Sequence, residues 1–258
     1  MGTTGGIAVG SKKPEVQVRV GRRVYYSGDK GKSWSLCNTN NYPGQKIKGG
    51  KLAVSADGKV ILWWPEGYYR CYRSADKGKT WKEVKGFKYE SDPTADPVNP
   101  GVFYAYDADT GTLNISMDQG KSFSKAGTLD KGCSRLIRCV PDREGDIWVA
   151  GPKGLFRSKD SGRSFTPISG PSSCRAVGFG KAAEGSSFPA VYIWGTIGDV
   201  EGLYRSDDEA KTWVRINDAE HEFGGPGNAQ LVTGDPDHFG KVYMTTSGLG
   251  VICGEPKP

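Results

Sequence analysis

Aromatic and carboxylate side chains cluster in one short string, Trp63-Trp64-Pro65-Glu66-Gly67-Tyr68-Tyr69. Sugar polymers present apolar faces edged by hydroxyl groups, so a site for them needs aromatic rings beside hydrogen-bonding groups. Adjacent residues of a strand point to opposite faces, so at most one of the two tryptophans is buried in a given layer of a β-fold and the other must face elsewhere. The string therefore predicts ligand contacts from Trp64, Tyr68 or Tyr69, with Glu66 as the polar group. Core packing is the alternative.

Two further residues are candidates for ligand contact. Trp194 ends an apolar run and is followed by Gly195-Thr196, and His221 lies in a polar stretch near the C-terminal part of the chain. Core packing is again the alternative for the tryptophan. The chain has one other histidine, His238, and no Cys-x-x-Cys pair, so the sequence favours neither a metal site nor a bound cofactor.

Carboxylates could also perform glycoside hydrolysis, which needs two of them about 6.5–9.5 Å apart for inversion or about 5–5.5 Å apart for retention. Sequence does not give this distance. The loop carboxylates that could serve are Glu66, Asp199, Glu201, Glu220 and Glu222. The catalytic residues, if there are any, stay unassigned.

The elements that must position these residues are organised by an internal repeat. The pattern Ser-x-Asp-x-Gly-x-(Ser/Thr)-(Trp/Phe) occurs in five segments, with Ala210 replacing glycine in the last. The segments are 27–34, 74–81, 116–123, 158–165 and 206–213. Their serines are 47, 42, 42 and 48 residues apart. A period in the forties built from short strands and turns is typical of a β-propeller with four-stranded blades.

The repeated residue types fit a tight turn between two strands. The aspartate accepts hydrogen bonds from turn amides, and the glycine supplies one position that tolerates positive φ. The closing aromatic residue starts the next strand and packs between blades. The pattern is that of the Asp-box, or BNR repeat. Recurrence at a fixed place predicts that these five aspartates are structural and not catalytic. They are Asp29, Asp76, Asp118, Asp160 and Asp208.

The strand pattern predicts an all-β fold with a single propeller domain over residues 1–258, made of six blades. The blades are expected at about 5–37, 50–86, 88–127, 133–169, 173–217 and 228–255. The last has three predicted strands, so its outer position is either open or filled by a segment near Ile7-Ala8-Val9. The alternative is an incomplete seven-bladed ring, whose open edges would favour a partner domain or a dimer.

Composition excludes several function classes. No apolar run approaches the ~20 residues of a membrane-spanning helix, so we expect no membrane insertion. The net charge of +6 comes without a basic block or a nucleic-acid-binding motif, so we expect no nucleic-acid partner. Six cysteines permit disulfides without proving them.

Several segments closely resemble the second propeller of glycoside hydrolase family 74, the xyloglucanases. They are 140–151, 178–183, 202–208, 212–218 and 233–236, and the likeness extends from about residue 18 to 254. The resemblance implies an extracellular protein that acts on a plant cell-wall polysaccharide. In that family two aspartates hydrolyse the β-1,4-glucan backbone of xyloglucan by inversion. The resemblance places both upstream of the matched region, so it transfers no catalytic residue to this chain.

The sequence therefore favours a carbohydrate-directed propeller that recognises a β-1,4-glucan such as xyloglucan. One alternative is an active glycoside hydrolase of the endo-β-1,4-glucanase type whose carboxylates have moved. A second alternative is a protein-interaction scaffold, since a propeller fold does not determine chemistry.

Overall fold

The computed structural model describes residues 5–38, 49–67, 70–86, 91–218, 230–246 and 250–256. The chain forms two compact units. The first unit contains residues 1–131, 135–146 and 159–164, and the second contains 132–134, 147–158 and 165–258. Among the described residues there is no helix long and apolar enough to cross a membrane.

The strands of the described residues form six sheets, called blades 1 to 6 in chain order. Blade 1 contains β1 (Gly6–Gly10), β2 (Lys13–Val20), β3 (Val24–Ser27) and β4 (Ser35–Leu36). Blade 2 contains β5 (Lys51–Val54), β6 (Ile61–Trp64), β7 (Tyr72–Ser74) and β8 (Lys82–Glu83). Blade 3 contains β9 (Thr94–Ala95), β10 (Phe103–Asp107), β11 (Thr112–Ser116) and β12 (Ser124–Thr128).

The remaining blades follow the same order of strands. Blade 4 contains β13 (Arg138–Cys139), β14 (Ile147–Gly151), β15 (Gly154–Ser158) and β16 (Thr166–Ile168). Blade 5 contains β17 (Pro171–Gly180), β18 (Ala190–Ile197), β19 (Val200–Ser206) and β20 (Val214–Arg215). Blade 6 has three described strands, β21 (Val232–Gly234), β22 (Val242–Thr245) and β23 (Val251–Gly254).

The predicted fold class is confirmed: the chain is an all-β, six-bladed propeller with antiparallel strands that neighbour one another in chain order. The six predicted blade ranges agree with the sheets to within a few residues in most cases. One expectation is wrong. The segment near Ile7 does not supply an outer strand for blade 6, because it forms β1 and pairs with β2 inside blade 1 (Ile7 with Arg19).

Apolar residues of neighbouring blades pack face to face. Trp63 lies in a layer with Val18 and Val24 of blade 1, whereas Trp64 lies in a layer with Phe103 of blade 3. Both tryptophans are 1% exposed. The pleat does turn the two rings to opposite faces, as predicted, but each face is covered by a neighbouring blade. The Trp64 ring, which does not pack against blade 1, therefore packs against blade 3 and does not face solvent.

Candidate functional site

Each blade has two chemically different ends. Antiparallel strands in simple order place the first and third connections at one end and the second connection at the other. The repeated Ser-x-Asp segments are the third connections, so they mark one end, called here the turn end. The second connection, such as that between β18 and β19, lies at the opposite end, called here the loop end. The loop end carries Glu66 in blade 2, and Trp64 and Trp194 lie on the strands that lead to it in blades 2 and 5.

The turn end is built from one hydrogen-bonding scheme. In the first turn, Asp29 Oδ1 accepts the Ser33 amide at 2.9 Å, and Asp29 Oδ2 accepts the Ser33 hydroxyl at 2.6 Å. Ser27 Oγ accepts the Gly31 amide at 2.8 Å. The aspartate has the same two Ser/Thr contacts in all five turns. Each carboxylate thus accepts hydrogen bonds from an amide and a hydroxyl of its own turn, which is the geometry of a structural group.

Hydrogen bonding also explains the acidity of these carboxyls. The Ser33 hydroxyl and amide lower the pKa of Asp29 to about 2. Partial burial opposes the shift at Asp118, but hydrogen bonds from Ser122 outweigh it and hold that pKa at about 2 as well. Such groups remain ionised near neutral pH, which suits a turn anchor and does not suit a general acid.

Backbone conformation in the turns differs from the expectation in one respect. Two consecutive residues, not one, have positive φ in every turn, for example Lys77 at 62° and Gly78 at 78°. In the fifth turn the pair is Glu209 at 64° and Ala210 at 65°, so a residue with a Cβ occupies the position that glycine fills elsewhere. The left-handed region is unfavourable for alanine, and this turn therefore carries strain that the other four avoid.

Blade 5 of the second unit has an elongated loop end. Its first three strands are 10, 8 and 7 residues long, against 4, 4 and 3 in blade 2. The pairing of β17 with β18 shifts register twice, leaving Ser172 and Arg175 as extra residues. Bulges of this kind bend a strand and redirect side chains. Both extra residues are exposed.

A polar cluster, called here the blade-5 site, lies on this extension. Arg175 Nε is 3.2 Å from Glu201 Oε1, and the two side chains are 50% and 46% exposed. The indole N–H of Trp194 donates to the same Glu201 oxygen at 3.2 Å. The Ser173 hydroxyl donates to Thr196 Oγ1 at 3.0 Å beside them. The buried indole fixes the carboxylate from one side, and the exposed arginine leaves it accessible from the other.

The chemistry of the blade-5 site suits polyhydroxylated ligands. An exposed arginine–carboxylate pair contributes little to stability, so both groups can exchange their mutual contact for contacts with ligand hydroxyls. Arginine donates in a planar fork, the carboxylate accepts, and the Ser and Thr hydroxyls do either. The described residues contain no group of three or more His, Cys, Asp and Glu side chains placed to hold a metal ion.

Most of the residues predicted to contact a ligand are either buried or lie outside the described residues. Trp64 is buried in the layer between blades 2 and 3, and Glu66 is half-buried just after β6. Trp194 is 4% exposed and reaches the surface through its N–H contact with Glu201. Tyr68, Tyr69 and His221 lie outside the described residues. Ligand contact by these residues stays a prediction, and the burial of both tryptophan rings favours packing roles for them.

Sequence reasoning missed Arg175, because a register shift between paired strands leaves no mark in a single sequence. It also missed a second set of structural carboxylates that follow the first strand of a blade. Asp96 Oδ1 accepts the Val98 and Asn99 amides at 2.9 and 2.8 Å, and its Oδ2 accepts the Tyr104 hydroxyl at 2.9 Å. The sequence signal that could have identified Asp96 is an Asp-Pro pair with a tyrosine eight residues after the aspartate.

The same signal marks a counterpart in blade 6. Asp235 accepts the Asp237 and His238 amides at 2.8 and 3.0 Å, and the Tyr243 hydroxyl at 3.2 Å. The Asp237 amide, with the His238 contacts, holds the pKa of Asp235 at about 2. Both Asp-Pro carboxylates therefore organise turns, as the five repeat aspartates do.

Known proteins similar to this chain are xyloglucanases. Xyloglucanase Xgh74A of Acetivibrio thermocellus is 40% identical over 238 residues, which cover 91% of this chain and 27% of the relative. A xyloglucanase of a Paenibacillus species is 34% identical over 94% of this chain and 25% of its own length. This chain thus spans about a quarter of the length of these relatives. No protein-family model matches it.

Solved structures agree with the sequence comparison. The GH74 enzyme of Niastella koreensis superposes with a TM-score of 0.90 at 41% identity, covering 96% of this chain and 36% of that enzyme. These matches cover nearly all of this chain and a minor part of each relative. Along nearly its whole length, the chain is therefore similar to one part of longer glycoside hydrolase family 74 enzymes.

Proposed function

We propose that this chain recognises a β-1,4-glucan such as xyloglucan and does not cleave it. The observation that carries the proposal is the similarity to xyloglucanases along 91% of the chain at 40% identity. The proposal places ligand contact at the loop end of blade 5, where the exposed groups of the blade-5 site are unrelated to the repeated turn chemistry. The resemblance to glycoside hydrolase family 74 implies that both catalytic aspartates lie upstream of the matched region, which supports binding over hydrolysis.

We also propose a role for the repeated turns, a ligand class and a location for the protein. The five Ser-x-Asp turns are Asp-box repeats that hold the blades and contact no sugar. The ligand is a plant cell-wall polysaccharide of the xyloglucan type. The protein works outside the cell, where that polysaccharide is found.

Calorimetry tests recognition. Xyloglucan oligosaccharides titrated into the full chain at concentrations up to about 1 mM should give a saturable heat, since a few exposed hydrogen-bonding groups support affinities in the micromolar to millimolar range. Cello-oligosaccharides and a galactomannan oligosaccharide serve as comparison ligands of different side-chain decoration. No heat with any of these ligands would contradict the proposal.

Release of reducing ends from xyloglucan separates binding from cleavage. We expect no release above the level of heat-denatured protein during prolonged incubation. Release that depended on Glu66 or Glu201, tested as Glu66→Gln and Glu201→Gln, would contradict binding without cleavage and assign an enzyme. Removal of the Glu201 charge should instead weaken binding, because its carboxylate is the acceptor of the blade-5 site.

A further inference from the structure

A cavity of about 520 Å³ opens between the outer strands of blades 5 and 6, within the second unit. Its floor is apolar and consists of Leu203, Ile216, Val242, Met244 and Ile252. Its rim carries charged and polar groups, including Arg215 and Glu255. We call this cavity the blade-6 groove. An apolar floor with a polar rim is the usual composition of a recognition site.

The layer between blades 1 and 2 shows what fills the corresponding space there. Trp81, the closing aromatic residue of the second turn, is 5% exposed in the same core cluster as Val24, Cys37, Ile61, Trp63 and Tyr72. Its ring centroid lies 5.6 Å from that of Trp63. Phe123 of the third turn packs likewise in the layer between blades 2 and 3. In these two turns the closing aromatic residue thus inserts between its own blade and the preceding one.

The five floor residues of the groove correspond one to one with the neighbours of Trp81. Leu203 accepts the Ile216 amide at 2.8 Å, as Val24 accepts the Cys37 amide at 3.0 Å. Met244 pairs with Ile252 across β22 and β23, as Trp63 pairs with Tyr72 across β6 and β7. Val242 and Ile61 each lie two residues before these strand positions. The groove is therefore built as the seat of a closing aromatic residue.

The strand at the edge of blade 6, beside the groove, is placed to accept a fourth strand. In blade 2 the outer strand β8 pairs with β7, and the Val84 amide donates to the Cys71 carbonyl at 2.9 Å. In blade 6 β23 occupies the position of β7 and is the outermost strand among the described residues. Val251 of β23 is 66% exposed. Unpaired strand edges accept an added strand through backbone hydrogen bonds.

We propose that the blade-6 groove docks a separate extended peptide segment of the type Ser-x-Asp-x-Gly-x-Thr-Trp, seated as residues 74–84 are seated on blades 1 and 2. The aromatic side chain enters the groove against Met244 and Ile252. The residues after it pair with β23 and complete the sheet as a fourth strand. The turn before it approaches Asn217, the counterpart of Asn38, whose amide donates to the Gly78 carbonyl at 2.8 Å. The proposal is independent of glycan recognition.

A synthetic peptide provides a direct test. A fluorescein-labelled peptide with the sequence of residues 74–84 is titrated with the full chain and followed by anisotropy. The control peptide has alanine in place of the tryptophan. We expect saturable binding of the first peptide, and binding at least about tenfold weaker for the control, because a buried aromatic anchor dominates such interfaces. Equal binding of the two peptides, or no binding of either at about 1 mM protein, would overturn the proposal.

Two variants of β23 test the location. Ile252→Asp introduces a carboxylate into the floor of the groove, whereas Val251→Asp changes a neighbour whose side chain points to the opposite face. We expect Ile252→Asp to weaken peptide binding at least about tenfold and Val251→Asp to leave it within about twofold. Circular dichroism verifies folding of both. If Ile252→Asp does not fold, the proposal is tested by the two peptides and by the reactivity of Cys253.

Cys253 is a built-in reporter, because it borders the groove on β23, on the same face as Val251, and would be flanked by the peptide residues that pair with this strand. It is the exposed thiol among the six cysteines. Its reaction with a thiol reagent should slow at least about threefold when the tryptophan peptide is bound and should not change with the alanine peptide. A xyloglucan oligosaccharide should leave the rate unchanged. Protection by the oligosaccharide and not by the peptide would assign the groove to glycan and refute the peptide proposal.

Discussion

At the turn end of blade 5, Asp208 makes the same contacts to a Ser/Thr residue four positions on as its counterparts in four other blades. At the loop end of the same blade, Arg175 and Glu201 occupy strand extensions that blade 2 does not have. The hydrogen bonds of the turn end recur in five blades, whereas the extended loop end of blade 5 has no counterpart in blade 2. Repetition identifies chemistry that maintains architecture, and departure from it identifies where ligand recognition can reside.

The largest difference between the two ends should appear when alanine replaces a glycine with positive φ at each end of blade 2. At the turn end, a Cβ on Gly78 would lie 2.3 Å from Cys37 Sγ, in addition to the strain of a φ of 78°. We expect Gly78→Ala to lower the free energy of unfolding by about 2–4 kcal/mol.

Gly67→Ala is the matched control at the loop end. Its φ is 71°, but a Cβ there meets no atom of the described residues within 4 Å. We expect a loss of about 1 kcal/mol from backbone strain alone. Urea unfolding of the two variants measures both values, and equal losses would contradict the idea that the turn end is the more tightly constrained.

Acid should weaken the turn end selectively. The pKa values of Asp29, Asp118 and Asp208 are about 2 in the folded protein, below the ordinary unfolded value of about 3.9. A lowered folded pKa contributes stability above the unfolded value, and this contribution disappears as the pH falls from about 4 towards 2. We therefore expect the Tm to fall through this interval.

Asp118→Asn sharpens the acid experiment because asparagine cannot ionise. The variant should be less stable than the parent at neutral pH, since the Ser122 hydroxyl loses its carboxylate acceptor. Its Tm should fall less steeply between pH 4 and 2. Parallel Tm curves for parent and variant would show that these carboxyls do not drive acid unfolding.

A smaller effect of opposite sign is expected at the fifth turn. Ala210 has a φ of 65°, so Ala210→Gly relieves backbone strain while increasing the freedom of the unfolded chain. The net result should be a gain of about 0.5–1 kcal/mol in the free energy of unfolding. Ala75→Gly in the second turn, where φ is not positive, should instead cost about 0.5–1 kcal/mol. A loss in both variants would contradict strain at Ala210.

The turns of the repeat could be predicted from the sequence, whereas the burial of both tryptophans could not. The five turns were predictable because their chemistry is local: Ser27, Asp29 and Gly31 contact one another within four positions. The blade ranges followed from the spacing of the turns. The burial of both Trp63 and Trp64 was not predictable, because it depends on the two neighbouring blades that cover them.

The blade-5 site was partly predictable. Trp194 and Glu201 were visible as an aromatic residue and a loop carboxylate on either side of one hairpin, but the sequence did not show that they bond to each other. Arg175 joins them through a register shift that depends on pairing between β17 and β18. Contacts that depend on the register between paired strands are therefore not encoded by residue spacing.

Recognition at the loop end is tested by comparing the two ends of blade 5 in one binding measurement. Arg175→Ala removes the exposed cation of the blade-5 site, and Lys211→Ala removes an exposed cation from the turn end of the same blade. Both changes should leave the free energy of unfolding within about 0.5 kcal/mol, because both side chains are exposed. Calorimetric titration with a xyloglucan oligosaccharide should show at least about tenfold weaker binding for Arg175→Ala and unchanged binding for Lys211→Ala. Unchanged binding for Arg175→Ala, or equal weakening in both variants, would contradict recognition at the loop end.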